Sequence, residues 1–448
     1  MSVPRAPPAQ EAAEVAYSNG TGPGTVAVVL PGGGARGAYE IGALSVLLPE
    51  LEARGERVTL VCGTSVGAIN AALLASLAHL PASEQVALAL ERWRTLRRGD
   101  VLSPFVSPRL PLNVTRLVGD ALSIPGINRG SLLDPGPLRR YLERNLDWGA
   151  LHRNVEEDVV EAVCVVATQL ATGRPIAFVE AGGDPPAEAG LEYVPVRLNG
   201  EHVRASAAIP LVFPAVEVNE PSAASGYYTD GATRLNSPIR PAVELGADRV
   251  IVIGFTPLGG APTKPRPVPP HLVDVAANVL DRLLVDQVAH DMHRLVAINS
   301  FFVEDHTAGT MPAARAYRAA RGRRPYRRIA YALITPRSRR ELGQLAERVF
   351  DRRYGGLSGL LHPDQLLLGR LLRGRTDAGG DLLSVLLFER EYIDALIDAG
   401  RRDAKRWLRR HPGLWCSNGA HDFNIDPARA AGEHEAASLE EWRRLRRG

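Results

Sequence analysis

The chain has 448 residues, of which 45% are hydrophobic, 23% charged and 6% aromatic. This is a globular composition with enough apolar residues for a sizeable core, and it excludes a wholly disordered chain, a collagen and a coiled coil. The net charge is only +3, and the three scattered cysteines are too few for a disulfide framework or a zinc cage, which favours a reducing compartment.

The first eighty residues contain two strand–turn–helix units. Residues 1–24 are rich in Pro, Ala and Gly and are predicted to form a flexible tail. The run Thr25–Leu30 is too apolar to alternate, which is typical of a strand buried on both faces of a sheet. A helical pattern from Ala38 to Arg54, a second strand at Val58–Cys62 and a helix at Val66–His79 follow. This order predicts an α/β domain with a mostly parallel sheet.

The rest of the chain alternates strands and helices up to a proline-rich segment and is mainly helical after it. Further strands are predicted at Val159–Gln169, Ile176–Glu180, Leu211–Val218, Tyr227–Tyr228 and Arg249–Phe255. Helices are predicted at Asp134–Leu146, His271–Asn299, Glu341–Phe350, Asp381–Trp407 and Ser438–Arg446. We therefore expect an α/β domain over residues 25–257 and a mainly helical C-terminal region over residues 258–448, in which residues 329–334 could add a strand to the same sheet.

The sequence predicts neither a secretory signal nor a membrane span. The N-terminal residues lack a basic segment followed by an apolar one. The longest apolar stretch, Ala68–Leu80, is shorter than the roughly 20 residues that a spanning helix needs. We expect a cytoplasmic protein.

A glycine cluster, Gly32-Gly33-Gly34-Ala35-Arg36-Gly37, follows the first strand. It fits the dinucleotide pattern G-x-G-x-x-G, but that interpretation needs an acidic residue at the end of the next strand, where Gly63-Thr64-Ser65 stands instead. A second interpretation is an oxyanion hole, in which backbone amides face developing negative charge and Arg36 adds positive potential. A plain strand-to-helix turn is the third.

The second glycine turn, Gly63-Thr64-Ser65-Val66-Gly67, has the form G-x-S-x-G. Because it stands between a strand and a helix, it predicts a nucleophile elbow from which Ser65 projects. A five-residue match also arises by chance, so the motif alone leaves an ordinary turn open.

A nucleophilic serine needs a base. None of the histidines sits in a glycine turn at a strand end, and His290 and His293 fit a solvated helix face better than a metal site. Asp230, in Tyr227-Tyr228-Thr229-Asp230-Gly231-Ala232, is the alternative base, although an Asx-turn is the ordinary interpretation of such a segment.

Taken together, the three motifs resemble those of the patatin-like phospholipase family in order and spacing. Gly32–Gly37 matches its glycine-rich oxyanion motif, Gly63–Gly67 its nucleophile motif, and Asp230-Gly231-Ala232 its Asp-Gly-Gly/Ala motif. Further landmarks that resemble the family are Ala205–Pro210, Phe213-Pro214 and Asn236-x-Pro238. The resemblance covers residues 26–255.

The resemblance implies a three-layer α/β/α sandwich of patatin type with a largely helical C-terminal extension. It implies hydrolysis of acyl esters in phospholipids or neutral lipids, with neither a metal nor another cofactor. By the same resemblance Ser65 is the nucleophile and Asp230 the general base. The oxyanion hole is assigned to Gly32, Gly33, Gly34, Arg36 and Gly37, and the elbow to Gly63, Thr64, Val66 and Gly67, while Gly231 and Ala232 complete the Asp motif.

An aspartate base carries its own expectation for pH. If no histidine shares the proton, activity should persist below about pH 6, where a histidine base would be protonated. Burial can raise the Asp pKa from its usual 3.9 or so towards working pH.

The expected partner is a lipid substrate, and no nucleic acid is expected. The apolar, proline-broken segment 101–130 could wall an acyl chain or be an ordinary loop. Seven arginines could bring the protein to the inner face of a membrane by binding anionic headgroups, or could form a solvated loop: Arg315, Arg318, Arg321, Arg323, Arg324, Arg327 and Arg328.

Three other functions compete with the lipid hydrolase. A non-catalytic membrane-associated regulatory protein on the same fold is disfavoured by the intact Ser65, Asp230 and glycine cluster. A nucleotide-dependent oxidoreductase lacks the ribose-binding acid, and a Ser-His-Asp esterase of the α/β-hydrolase type usually carries its elbow after more strands.

Overall fold

The computed structural model describes residues 24–101, 136–185, 191–210, 212–258, 287–300, 328–354 and 378–416. The strands in these ranges are β1 (Val26–Leu30), β2 (Val58–Thr64), β3 (Ala162–Gln169), β4 (Pro175–Ala181), β5 (Glu192–Pro195), β6 (Val216–Val218), β7 (Gly226–Asp230), β8 (Arg249–Ile253) and β9 (Ala330–Ile334). The helices are α1 (Gly37–Ala53), α2 (Val66–Leu77), α3 (Ala82–Thr95), α4 (Arg98–Val101), α5 (Gly136–Asn145), α6 (Trp148–Glu156), α7 (Gly200–Ser206), α8 (Ile239–Leu245), α9 (Gln287–Ser300), α10 (Glu341–Tyr354), α11 (Ala378–Leu386) and α12 (Arg390–Arg410).

The strands form one mostly parallel sheet in the order β5-β4-β3-β2-β1-β8-β9. β1 pairs in parallel with β2 and β8, β2 with β3, and β8 with β9. The short strand β7 runs antiparallel to the end of β3 and carries β6 on its other side. Helices pack against this sheet, and the whole is the expected three-layer α/β/α sandwich of patatin type with a helical C-terminal region.

Burial explains why the central strands are continuous apolar runs in the sequence. All five residues of β1 and all five of β8 are buried. A strand at the centre of a parallel sheet is covered by helices on both faces, so neither face selects polar residues. The carboxyl ends of parallel strands meet at one edge of a sheet, and open α/β sheets bind their ligands at that edge.

The C-terminal region shares the core of the α/β domain. β9 extends the sheet beside β8, and the backbone of Cys416 pairs with that of Tyr331 in β9 as an isolated antiparallel β-bridge. Helix α12 lies along α1, where the hydroxyl of Tyr39 donates a 2.8 Å hydrogen bond to the buried carboxylate of Asp403.

Some elements differ from the sequence-based predictions. The edge strand β5 was not predicted, because it has only four residues and one of them is buried. The strand expected at Leu211–Val218 is formed only at Val216–Val218. The helix expected at Asp381–Trp407 is two helices, α11 and α12, separated at 387–389 without a glycine or proline to signal the break.

Several predicted features lie outside the described residues: the tail apart from Gly24, most of segment 101–130, and all the arginines between Arg315 and Arg327. Within the described residues, no helix has the length and apolarity needed to cross a lipid bilayer.

Candidate active site

Ser65 stands in a sharp turn between the end of β2 and the start of α2. Its φ of 56° and ψ of −122° are unusual for a residue with a side chain, and such strain is characteristic of a nucleophile held out of a turn. Two glycines let the surrounding backbone approach closely. A Cβ on Gly67 would lie 2.0 Å from the carbonyl oxygen of Leu30, and one on Gly63 would lie 2.1 Å from that of Gly67.

Asp230 ends β7 and lies directly beside Ser65. The Ser65 hydroxyl donates a 2.6 Å hydrogen bond to Asp230 Oδ2, although the two residues are 165 positions apart. Asp230 Oδ1 accepts a 2.8 Å hydrogen bond from the amide of Ala232, so the Asx-turn considered from the sequence is present as well. The turn fixes one carboxylate oxygen and leaves the other facing the serine. Gly231 fits tightly here, because a Cβ on it would lie 2.2 Å from the carbonyl oxygen of Val166.

Burial sets the protonation of this carboxyl group. Asp230 is fully buried. Its desolvation raises the pKa to about 7, against the smaller lowering effect of the hydrogen bonds from Ser65 and Ala232. A group with this pKa accepts a proton readily near neutral pH. The same pKa corrects the expectation of activity below pH 6, because Asp230 then loses its charge in the range where a histidine would gain one.

Ser206, at the end of α7, joins the elbow to the neighbouring strand. Its hydroxyl accepts a 2.8 Å hydrogen bond from the Ser65 amide and donates a 2.6 Å bond to the carbonyl of Val166 in β3. In the sequence, the segment that contains Ser206 was noted only because it resembles the family, and no role was assigned to this serine. Asp230 is held from the same side, since its amide donates to the carbonyl of Ala208 at 2.9 Å.

The glycine cluster, which we call the oxyanion loop (residues 32–37), passes next to Ser65. A Cβ on Gly32 would lie 3.0 Å from the Ser65 Cβ. The Gly32 amide already donates to Asn236 Oδ1 at 2.8 Å. This differs from the expectation that Gly32 contributes a free donor, and it gives the Asn236-x-Pro238 landmark a local role. The amides of Gly33 and Gly34 make no hydrogen bond with any residue in the described ranges.

Neither Gly34 nor Gly37 has room for a side chain. Gly34 has a φ of +56°, and a Cβ there would lie 2.2 Å from the carbonyl oxygen of Val385. Gly37 begins α1, where a Cβ would collide with Val66 and with the indole of Trp93. Gly37 therefore packs the loop against the wall of the site, and we find no donor role for it.

Arg36 is buried and bound to the C-terminal region. Its Nε donates to Ser384 Oγ at 2.7 Å, and its Nη2 donates to the carbonyl oxygen of Asp381 at 2.9 Å and to Oδ1 of the same residue at 3.2 Å. The guanidinium also lies 5.9 Å from the centre of the Phe255 ring. Two of the three guanidinium nitrogens are thus bound by protein groups. No sequence motif indicated that Asp381 and Ser384 would bind Arg36.

Ser65 lies in the wall of a partly open, mainly apolar cavity. The apolar lining comes from several helices and from the segment after α7, and it includes Val66, Leu73, Trp93, Leu138, Ile209 and Phe213. Val101, the one described residue of segment 101–130, also contributes. The apolar character of this lining suits a hydrocarbon chain.

A buried polar cluster fixes part of this wall. The Trp93 indole donates to Asn70 Oδ1 at 2.8 Å, and Asn70 Nδ2 donates to Glu40 Oε2 at 2.7 Å. Burial raises the pKa of Glu40 well above its usual range, partly offset by the hydrogen bond from Asn70. The cluster orients the Trp93 indole in the cavity wall.

Histidines and metal ligands are not part of this arrangement in the described residues. No histidine there lines the cavity or hydrogen bonds to Ser65 or Asp230. The same ranges contain no group of three or more His, Cys, Asp or Glu side chains that could hold a metal ion.

Comparisons with known proteins identify the domain. The profile of the patatin-like phospholipase family matches residues 28–243, which include Ser65, Asp230 and the oxyanion loop. A comparison with curated proteins gives no match.

Two solved structures are similar to this chain at low identity. One is VipD from Legionella pneumophila, at 14% identity and a TM-score of 0.33, with 87% of this chain and 67% of that chain covered. The other is the ExoU–SpcU complex from the type III secretion system of Pseudomonas aeruginosa, at 18% identity and a TM-score of 0.22, with 81% and 74% covered. At these TM-scores neither likeness adds to a functional argument. The match over residues 28–243 shows that the chain carries a patatin-like phospholipase domain.

Proposed function

We propose that this protein hydrolyses acyl ester bonds of lipids through a Ser65–Asp230 dyad and an acyl-enzyme intermediate. The observation that carries the proposal is the 2.6 Å hydrogen bond from the Ser65 hydroxyl to the buried Asp230 carboxylate, in the wall of an apolar cavity. This arrangement unites a nucleophile, a base and a binding site for an acyl chain.

In the first half-reaction Ser65 Oγ attacks the acyl carbonyl carbon while its proton passes to Asp230 Oδ2. The carbonyl oxygen becomes an oxyanion, and the amides of Gly33 and Gly34 are the donors that can stabilise it. Collapse of the tetrahedral intermediate breaks the ester C–O bond. The departing alcohol takes the proton from Asp230, and the acyl group stays on Ser65.

In the second half-reaction water replaces the alcohol. Asp230 takes a proton from the water as its oxygen attacks the acyl carbon, and the Gly33 and Gly34 amides again stabilise the oxyanion. Breakage of the bond to Ser65 Oγ returns the proton to that oxygen and releases the fatty acid. Asp230 is a carboxylate before and after the cycle, so each turnover converts one ester and one water molecule into an alcohol and a fatty acid and leaves the enzyme unchanged.

The cavity supports a substrate with a long acyl chain. Burial of hydrocarbon contributes about 0.8 kcal/mol per methylene group, so each added methylene that fits should raise kcat/KM several-fold. Contact with an anionic membrane surface through Arg315–Arg328 remains a prediction, because only Arg328 lies in the described residues. The intact contacts between Ser65 and Asp230 speak against the non-catalytic alternative.

Active-site labelling with a fluorophosphonate tests the proposal. The wild-type chain should label at one serine, and Ser65→Ala should abolish the label. Asp230→Asn keeps the shape of the side chain but removes the base, so labelling and ester hydrolysis should fall at least 100-fold.

The matched control is Ser76→Ala. Ser76 is a buried serine of helix α2, which begins directly after Ser65, and its hydroxyl donates to the carbonyl of Leu73. This variant should label like the wild type. A folded wild-type chain that neither labels nor cleaves any acyl ester would contradict the proposed function.

A further inference from the structure

Several contacts to the oxyanion loop come from outside the family match, which ends at residue 243. They come from helix α11 and the two residues after it, which we call the C-terminal clamp (residues 378–388). Asp381 and Ser384 face the loop, and Val385, Leu386 and Phe388 line the cavity together with Ser65.

The clamp binds Arg36 as a fork. Two different guanidinium nitrogens are held, one by the hydroxyl of Ser384 and one by the carboxylate and carbonyl of Asp381. Ser384 is itself fixed, since its hydroxyl donates to the carbonyl of Asp381 at 2.5 Å. Arg36 is only 2% exposed and Asp381 only 8%, so solvent weakens this ion pair little.

The loop and the clamp also touch through their backbones. The Val385 carbonyl oxygen fills the place where a Cβ on Gly34 would stand. On the other side of the loop the Phe255 ring is packed against Gly33, because a Cβ there would lie 2.4 Å from a ring carbon. The two glycines whose amides are free are therefore held between a C-terminal backbone segment and an aromatic ring.

We propose, on the basis of the lipid hydrolase function above, that the C-terminal clamp is a working part of the active site. Asp381 and Ser384 are positioning residues that act through Arg36 to hold the Gly33 and Gly34 amides in place. Phe388 and Leu386 determine which acyl chains fit, as part of the cavity wall. The clamp thus both positions the oxyanion donors and selects the acyl chain, in a site whose reacting groups lie in residues 28–243.

The first test separates positioning from folding by kinetics. Asp381→Asn and Asp381→Ala should lower kcat about 10-fold and 100-fold respectively, with KM changed less than 3-fold, because an oxyanion donor acts in the transition state. Phosphonylation of Ser65 should slow in parallel. Asn retains an acceptor oxygen for Arg36, so it should preserve part of the activity.

The second test is a double-mutant cycle with Arg36→Lys, which keeps the charge but removes the fork. If Asp381 acts through Arg36, the double variant Arg36→Lys/Asp381→Asn should be no slower than the slower single variant. A control is Asp398→Asn, since Asp398 is a 64% exposed carboxylate on α12 that pairs with Arg401 at 3.6 Å. This control should keep wild-type kcat.

The third test concerns selectivity. Phe388→Leu should change the ratio of kcat/KM for a hexadecanoyl ester over an octanoyl ester several-fold. Phe350→Leu, the same change at a buried phenylalanine of α10 outside the cavity lining, should leave the ratio unchanged.

Folded Asp381 variants with wild-type kcat and labelling rate would overturn the positioning role, and an unchanged chain-length ratio in Phe388→Leu would overturn the selectivity role. Either result on an active wild-type enzyme leaves the proposed function intact. An inactive wild type instead contradicts the proposed function itself.

Discussion

As the proposed general base, Asp230 combines two requirements that oppose each other. A general base must be ionised, but complete burial disfavours the charged carboxylate and raises its pKa to about 7. The hydrogen bonds from Ser65 and the Ala232 amide favour the ionised form and keep it accessible near neutral pH. The result is a carboxylate with the basicity that many hydrolases obtain from histidine.

This pKa predicts the pH profile of the reaction. We expect kcat/KM to fall about tenfold per pH unit below pH 7 and to level off above it, because only ionised Asp230 can accept the Ser65 proton. Initial rates on a water-soluble ester between pH 5 and pH 9 would measure the midpoint. His202 of α7 provides the control, since a Gln in its place can still cap that helix. A midpoint displaced by His202→Gln would assign the base to that histidine.

The same burial means that ionised Asp230 lowers the free energy of unfolding at neutral and higher pH, where the proposed base must be ionised. Its pKa is raised from about 3.8 in the unfolded chain, so its stabilising contribution is complete below that pH and is lost as the pH rises through about 7. Asp230→Asn does not titrate. At pH 8 this variant should therefore have a free energy of unfolding about 4 kcal/mol higher than that of the wild type, and near pH 3 the difference should disappear. Urea unfolding at the two pH values measures it, and an equal difference at both would refute the explanation.

At the scale of elements, the elbow between β2 and α2 stores backbone strain at Ser65. With φ 56° and ψ −122° this position suits glycine, which has no Cβ to be crowded. We expect Ser65→Gly to be more stable than Ser65→Ala by about 1 kcal/mol, after the greater flexibility of glycine in the unfolded chain is subtracted. Denaturant unfolding of the two inactive variants gives the comparison. An Ala variant as stable as the Gly variant would show that the turn is unstrained.

A feature could be predicted from the sequence where neighbouring residues determine it, and could not where residues far apart in the chain determine it. The elbow and the oxyanion loop are local, since glycines at fixed spacing between a strand and a helix specify them within six residues. Asp230 is remote from Ser65, and an Asp-Gly pair alone predicts only a turn, so its placement beside the serine rested on the family resemblance. Asp381 and Ser384 had no such support, because an Asp-x-x-Ser pair in a helix has no distinctive pattern. Strand β5 and the break between α11 and α12 are specified by tertiary packing and not by turn residues.

For the whole molecule, the important contact is the one between α1 and α12. The two helices approach so closely that a Cβ on Gly42 would lie 2.3 Å from the carbonyl oxygen of Ile397, and one on Gly400 would lie 2.2 Å from that of Tyr39. Since α1 begins at the end of the oxyanion loop and α12 follows the C-terminal clamp, this contact fixes the position of both partners of Arg36. Helix α12 is therefore continuous with the core of the α/β domain.

This close contact predicts that a single methyl group far from Ser65 affects both stability and catalysis. Gly400→Ala must push α12 away from α1, which should lower the free energy of unfolding by about 1 to 3 kcal/mol. The same displacement should slow fluorophosphonate labelling of the folded fraction, because the clamp moves with α12. Gly413→Ala is the matched control, since a Cβ there meets nothing within 4 Å. Thermal unfolding and labelling rates on both variants test the coupling. A Gly400→Ala protein that is destabilised but labels at the wild-type rate would show that α12 supports the fold without positioning the oxyanion loop.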